Sequence, residues 1–410
     1  MTWQRSRPHR LRILVLVAGA SLAGSPAPAA ADATLADALK MGTPSLDLRY
    51  RFEGVNQDGL PENARASTAR LRLGYRTGDF HGFFAASDLE HIRVIGAERY
   101  NSTANGLAEF PVVADPEGTE VNQAYLGYSG LTKTTFRLGR QRIKLDNLRF
   151  VGNVGWRQNE QTYDAFSVRS QVTRNLSVFY ARVENINRVF GEDNPNPLLA
   201  DLQVSIDLGE VSYAFPAGTL SAYAHQMEFE DLPQTSHRNL GLRFKGDTAA
   251  GEQIRILYTA EFTDQSNFRD APSTVDANYL FAELGLGFAH STFKLGYEVL
   301  GGNGAYGFST PLATLHAFNG WADQFLRTPL DGLRDFMATA SGRLAGFSLT
   351  GVYHRFNADR GNADYGQEVD LQIVRTFKDI YTAGLKYAHY DADAFATDTD
   401  KFWVTLQVKF

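Results

Sequence analysis

The sequence has no cysteine among its 410 residues, and only four Met and four Trp. Without Cys there is no disulfide framework, no thiolate-held zinc or iron–sulfur centre and no thiol nucleophile. Long apolar runs are missing as well. Mean hydropathy is −0.28, which speaks against a helical membrane protein, since each spanning helix needs about 20 apolar residues. It does not speak against a membrane β-barrel, whose strands alternate and average out as mildly polar. Almost no stretch repeats at the helical period of 3.6. Length alone suggests two or three soluble domains, but a closed β-fold can use such a chain as one domain.

The first residues read as a secretory signal peptide. Arg5, Arg7, Arg10 and Arg12 precede an uncharged apolar run from Ile13 to Leu22, and an Ala-x-Ala site ends at Ala31. The run is too short for a transmembrane anchor. Cleavage there removes four of the 40 basic residues and none of the 46 acidic ones, so the net charge moves from −6 to −10. The expected organisation is a signal over 1–31 and one domain over 32–410.

Elsewhere the chain alternates at period two. Leu46, Leu48, Tyr50 and Phe52 interleave with Asp47, Arg49, Arg51 and Glu53, and Leu71, Leu73 and Tyr75 with Arg70, Arg72 and Arg76. Phe293, Leu295, Tyr297 and Val299 repeat the pattern, as do Phe402, Val404, Leu406, Val408 and Phe410. Successive side chains on a strand point to opposite faces, so each segment has one apolar and one polar face. A soluble sandwich would alternate too. Here the runs are about 9–12 residues, long enough to cross a membrane when tilted. Their polar faces hold Arg and Glu together, as a hydrated lumen tolerates and a tight core does not. Aromatics gather at strand ends, as in interfacial girdles.

The fold class predicted is therefore an all-β transmembrane antiparallel barrel of roughly 18 strands in a Gram-negative outer membrane. Short turns such as 76–79, 216–218 and 377–379 alternate with long polar stretches at 91–119, 143–160, 185–203, 264–277 and 302–333. Eighteen strands at ~4.8 Å spacing and ~40° tilt give a backbone diameter of roughly 35 Å, an aqueous channel unless loops fill it. The final Phe410 resembles the C-terminal signal read by the barrel-assembly machinery. Membrane lipid and lipopolysaccharide are the expected surroundings.

If apolar residues face lipid, the alternate positions face the channel. These include Arg49, Arg51, Arg70, Arg72, Arg137, Arg243, Arg255 and Lys294, with Arg169 and Arg343 by a weaker register. The excess acid lies in presumed loops, at Asp115, Glu117, Glu120, Glu192, Asp193, Asp391, Asp393, Asp398 and Asp400. Guanidinium forks pair with carboxylates, and rings of Arg or Lys favour anions. The competing reading is that the arginines pair with wall carboxylates such as Asp47, Glu53, Asp88 and Glu90 and brace the barrel.

Two stretches are distinctive: Gly139-Arg140-Gln141-Arg142, running on to Trp156-Arg157-Gln158-Asn159 and Asp164, and Gly320-Trp321-Ala322-Asp323-Gln324-Phe325-Leu326. With Tyr353-His354-x-Phe356, they resemble the alginate-export outer-membrane porins. That resemblance implies an 18-stranded monomeric barrel with an electropositive constriction passing an acidic polysaccharide. It makes Arg140, Arg142 and Arg157 the constriction cations, with Asp164 and Asp323 as partners or selectivity residues; Gln141 belongs to the same strand end. His354 faces the lumen by register.

No cofactor is expected, and the scattered His show no metal-ligand spacing. The acidic 391–400 segment could hold Ca²⁺ between lipopolysaccharides, but solvated loop charge is the simpler reading. No Ser/His pairing supports a barrel enzyme, and no nucleic-acid tract is present. The function expected is passive passage of anionic solutes, foremost export of an acidic polysaccharide such as alginate. The alternative is uptake of small anionic nutrients, aromatic or sugar acids.

Overall fold

The computed structural model describes residues 34–410; the expected signal segment over 1–31 lies outside the described residues. The alternating runs form eighteen strands: β1 (Thr43–Gln57), β2 (Ala64–Arg76), β3 (Phe83–Val94), β4 (Gly118–Leu131), β5 (Thr134–Gln141), β6 (Thr162–Gln171), β7 (Leu176–Asn187), β8 (Asp201–Phe215), β9 (Gly218–Phe229), β10 (His237–Ala249), β11 (Arg255–Asn267), β12 (Asp276–Gly287), β13 (Ser291–Leu300), β14 (Leu333–Leu344), β15 (Phe347–Asn357), β16 (Asp364–Phe377), β17 (Tyr381–Ala392) and β18 (Thr399–Lys409). All neighbours are antiparallel. The sheet closes because β1 pairs with both β2 and β18, Asp47 lying opposite Arg72 on one side and Lys409 on the other. Closure leaves no unpaired edge, the condition for backbone to cross lipid.

Short turns join β2–β3, β4–β5, β6–β7 and onward at one end, where the strand ends Thr43 and Lys409 also lie. The longer connections, including 95–117, 142–161, 188–200 and 301–332, gather at the other end. In barrels of this kind the turns are periplasmic and the loops extracellular. Outward-facing Leu48, Leu138, Leu242, Leu284, Leu295 and Leu406 are exposed and form the lipid face. Phe215, Phe288, Phe377, Tyr381 and Phe410 are exposed near the turns, where amphipathic rings suit the membrane interface.

The interior departs from the expected open lumen in two ways. The loops 142–161 and 301–332 fold into the barrel and fill much of it. In addition, the inner face of β6–β9 is apolar over its loop-end half. Leu202, Val204, Ile206 and Leu208 point inward on β8 and are buried with Ile143, Leu145, Phe150 and Val151 of the first loop. Gln203, Ser205 and Asp207 then face outward, Asp207 bonding Arg182 at 2.8 Å. An alternating pattern is unchanged when its faces are exchanged, so periodicity locates the strand without saying which face is inside.

Candidate functional site

Inward positions on β1 and β2 place four arginines against the first inward loop. Arg49 Nε donates to Gln158 Oε1 at 2.9 Å and Arg51 to Asp115 Oδ2 at 2.8 Å. Both also donate to loop carbonyls, Arg49 to that of Arg157 and Arg51 to that of Trp156. Arg70 pairs with Asp47 at 2.8 Å, and Arg72 with Glu90 and with Glu160 of the loop, the latter at 2.5 Å. Arg142 reaches the same Glu160 at 2.7 Å and Asp88 at 3.1 Å. Arg157 binds Glu53 at 2.9 Å. The wall arginines are thus largely neutralised, and carboxylates from loops do much of it. Burial works to raise the Glu160 and Asp115 carboxyls, but their arginine neighbours outweigh it and hold both below the usual range.

The second loop is seated by its Asn319-Gly320-Trp321-Ala322-Asp323 segment. Asn319 Nδ2 donates to Glu298 and to Asp335, at 2.5 and 3.1 Å, and its Oδ1 accepts from Arg149 of the first loop at 2.9 Å. The Trp321 and Ala322 N–H groups donate to Asp370 and Glu368 on β16, at 3.2 and 2.7 Å. Gly320 has φ +86°, and a Cβ there would lie 2.2 Å from Glu368 Oε2. Gly320→Ala should therefore unseat the loop at a cost of about 2 kcal/mol or more, read as faster proteolysis within 301–332 while the barrel stays resistant.

Asp323 ends this segment at a junction of four elements. Its Oδ2 accepts from Lys401 of β18 at 2.7 Å and lies 3.6 Å from Arg157; its Oδ1 accepts from His316 Nδ1 at 2.8 Å. His316 stacks on Trp156, centroids 3.4 Å apart, and its Nε2 lies 2.6 Å from Lys386 Nζ of β17. Burial and the adjacent Lys386 charge push the His316 imidazole well below its ordinary value, so it is neutral and accepts from the ammonium. Burial opposes ionisation of Asp323, but Lys401 foremost holds it well below the carboxylate range.

The remaining positions fall into distinct places. Arg140 and Asp164 pair at 2.9 Å, yet they share a face with Leu138, 62% exposed, and Phe166, 39% exposed. They therefore sit on the barrel's outer face near the loop end, which corrects the expectation of a constriction pair. The parity of β5 decides it: Arg137 and Gln141 point inward, Leu138 and Arg140 outward. Gln141 braces the wall, donating to the Ala165 carbonyl and accepting from Ser167, at 2.8 and 2.6 Å. Arg243 pairs with Asp146 of the loop and lies 3.5 Å from Glu261; Lys294 pairs with Glu283 at 3.0 Å. His354 points inward, 2.9 Å from Asp335. Among the described residues, no group of His, Asp or Glu is placed to hold a metal ion.

Two chambers flank the filled middle. The turn-end chamber, about 530 Å³, is lined by Lys133, Arg137, Arg142, Lys144, Arg169 and small polar groups including Ser167 and Ser177. Among the described residues no carboxylate lines it, and only Arg142 of the five cations has an ion-pair partner. Arg169 lies over the Phe179 ring and Arg137 over that of Tyr125. Lys133 and Lys144 were not singled out by alternation because one lies in a turn and the other in a loop. Their signal was the stretch 131–145, which carries five cations and no acid. The loop-end chamber, about 440 Å³, is largely apolar, with Val55, Phe110, Trp156, Leu315 and Leu326 around Arg157, Arg188, Asp323 and Lys401.

Residues 41–180 match the family model Alginate export. That segment includes the Gly-Arg-Gln strand end and the Trp-Arg-Gln-Asn return; the Gly-Trp-Ala-Asp loop lies beyond it. No curated protein has a matching sequence. Among solved structures, the barrel is similar to Pseudomonas aeruginosa OpdK with vanillate, at TM-score 0.71 and 12% identity over 91% of this chain and 99% of that one. Acinetobacter baumannii OccAB4 superposes at 0.70 with 13% identity, covering 90% and 98%. Pseudomonas aeruginosa OccK2 (OpdF) in complex with glucuronate gives 0.68 and 12%, covering 91% and 99%. The fold is that of an outer-membrane porin. Its closed wall and apolar outer face place the barrel in the outer membrane of a Gram-negative bacterium.

Proposed function

We propose that this barrel is an outer-membrane channel for the uptake of small anionic solutes such as aromatic or sugar acids. The observation that carries the reading is the turn-end chamber, lined by five cations and no carboxylate, four of the five having no ion-pair partner among the described residues. A cluster of that kind inside a low-dielectric wall attracts anions and repels cations. Solved barrels of the same fold hold vanillate and glucuronate, solutes of the size these chambers accommodate. The family match over 41–180 favours a second reading, export of an acidic polysaccharide. The inward loops weigh against it: residues of 142–161 and 301–332 are tied across the interior to the wall by ion pairs and hydrogen bonds, whereas a polymer needs a wide continuous track.

Planar-bilayer recordings under a salt gradient test the proposal. The reversal potential should report anion preference, and Arg137→Ala with Arg169→Ala should weaken it roughly fivefold per charge, about 1 kcal/mol each. Cation preference in the native channel would sink the reading. Block by alginate oligomers at concentrations where glucuronate and benzoate do nothing would favour polysaccharide export instead.

A further inference from the structure

We propose that Lys401 and Arg157 form a binding site for the carboxylate of an amphiphilic acid, and that Asp323 occupies this site as a built-in competitor. The inference rests on the anion-channel reading above and adds a location and a substrate class to it.

Asp323 presents to Lys401 and Arg157 the same group that a carboxylic acid solute carries. It receives 2.7 Å and 3.6 Å contacts from the two cations and a 2.8 Å hydrogen bond from His316. All four side chains line the loop-end chamber, so a solute entering from the loops meets this cluster at the chamber wall. Lys401 is only 5% exposed and Arg157 7%. Leaving Lys401 without an anion would strand a desolvated charge, whereas Arg157 keeps Glu53 at 2.9 Å, and charge-assisted bonds are strong where water is excluded. Exchanging one carboxylate for another avoids that cost, because Lys401 never loses its partner.

The exchange is also favoured by how Asp323 is held. The residue has φ +61°, a left-handed conformation that is uncommon for a residue with a Cβ. It belongs to the inward loop, while Lys401 belongs to the wall. Displacing the Asp323 carboxylate therefore cuts one tie between loop and barrel, and solute binding is coupled to loosening of the loop.

The rest of the chamber names the body of the solute. Val55, Phe110, Trp156, Leu315, Ala322 and Leu326 supply apolar contact. An aryl or short acyl group fills such a space, whereas the hydroxyls of a sugar acid would lose water without gaining partners. The class assigned is an aromatic or short aliphatic monocarboxylate.

The test uses the full barrel in proteoliposomes, with radiolabelled benzoate and glucuronate as probes and glycerol as a neutral control. Benzoate should saturate at least tenfold below glucuronate. Asp323→Asn, which keeps the shape and removes the competing charge, should lower the benzoate half-saturation about tenfold; Lys401→Gln should raise it about tenfold. If Asp323→Asn merely loosens the loop, glycerol and benzoate fluxes rise together, and the benzoate half-saturation of Lys401→Gln then decides: a rise supports the site, no change overturns it. Cation preference in the native channel would overturn the anion-channel reading itself. Anion preference with benzoate and glucuronate saturating alike overturns only the present inference.

Discussion

Replacing Arg149 by Met will free both inward loops and raise the single-channel conductance severalfold. Arg149 is 1% exposed and is the node between the loops. Its Nε contacts Glu298 Oε1 at 2.8 Å, a terminal nitrogen donates to Asn319 Oδ1 at 2.9 Å, and the guanidinium lies 4.7 Å from the Phe318 ring centroid. Methionine fills part of the volume but leaves Glu298 buried with only the Tyr279 hydroxyl and Asn319 as polar partners. Breaking a buried pair from one side costs about 3–5 kcal/mol, enough to populate the released state. The hydrogen-bonded ladder between strands does not involve Arg149, so the barrel's resistance to detergent and heat should persist. Unchanged conductance would show that the loops are held without this node.

The second large effect is acid opening. In the seated loop His316 is neutral, its pKa well below the ordinary imidazole value because burial and Lys386 oppose its charge. In a released, hydrated loop it would titrate near 6.5. A group whose seated pKa is depressed contributes stability fully above its free value, and this is lost as pH falls below that value. As pH falls from 7.5 to 5, protonation of His316 therefore favours the released state. Asp323, Asp115 and Glu160 act in the same direction at lower pH, since each is held below its ordinary value when seated. Their contribution is present above about pH 4 and lost as pH falls further. Conductance should therefore rise between pH 7.5 and 5, and His316→Gln should flatten that rise while leaving the step below pH 4. A pH-independent conductance, or an unaltered rise in His316→Gln, would remove His316 from the mechanism.

The barrel was legible because period-two alternation is a direct consequence of strand geometry, and the alternating runs at 46–53, 70–76, 293–299 and 402–408 fall on β1, β2, β13 and β18. Faces were less legible. On β8 the apolar positions Leu202 to Leu208 point inward and Asp207 outward, and on β5 Arg140 shares the lipid-side face with Leu138. Both follow from a parity that sequence leaves undetermined when each face is tolerable. Least legible was the direction of the loops. Asp115 read as loop acid, Glu160 was not singled out, and Asp323 entered only through the family resemblance; all three turn inward, to meet Arg51, Arg72 and Arg157 respectively. The Asn319-Gly320 pair, at φ +54° and +86°, was the local hint that a loop there must double back.

The inward loops are fastened by different forces on opposite sides. Toward β6–β9 the contact is oily, made by Phe150, Val151, Ile206 and Leu208, and neither protons nor dissolved anions compete for it. Toward β1–β3 and β16–β18 it is made of ion pairs and charged hydrogen bonds, for which an acidic solute would compete. The loops thus have a greasy heel and an ionic toe. On the anion-uptake reading, release would start at the toe, and a solute that loosens the loops would pass along the arginine-bearing wall.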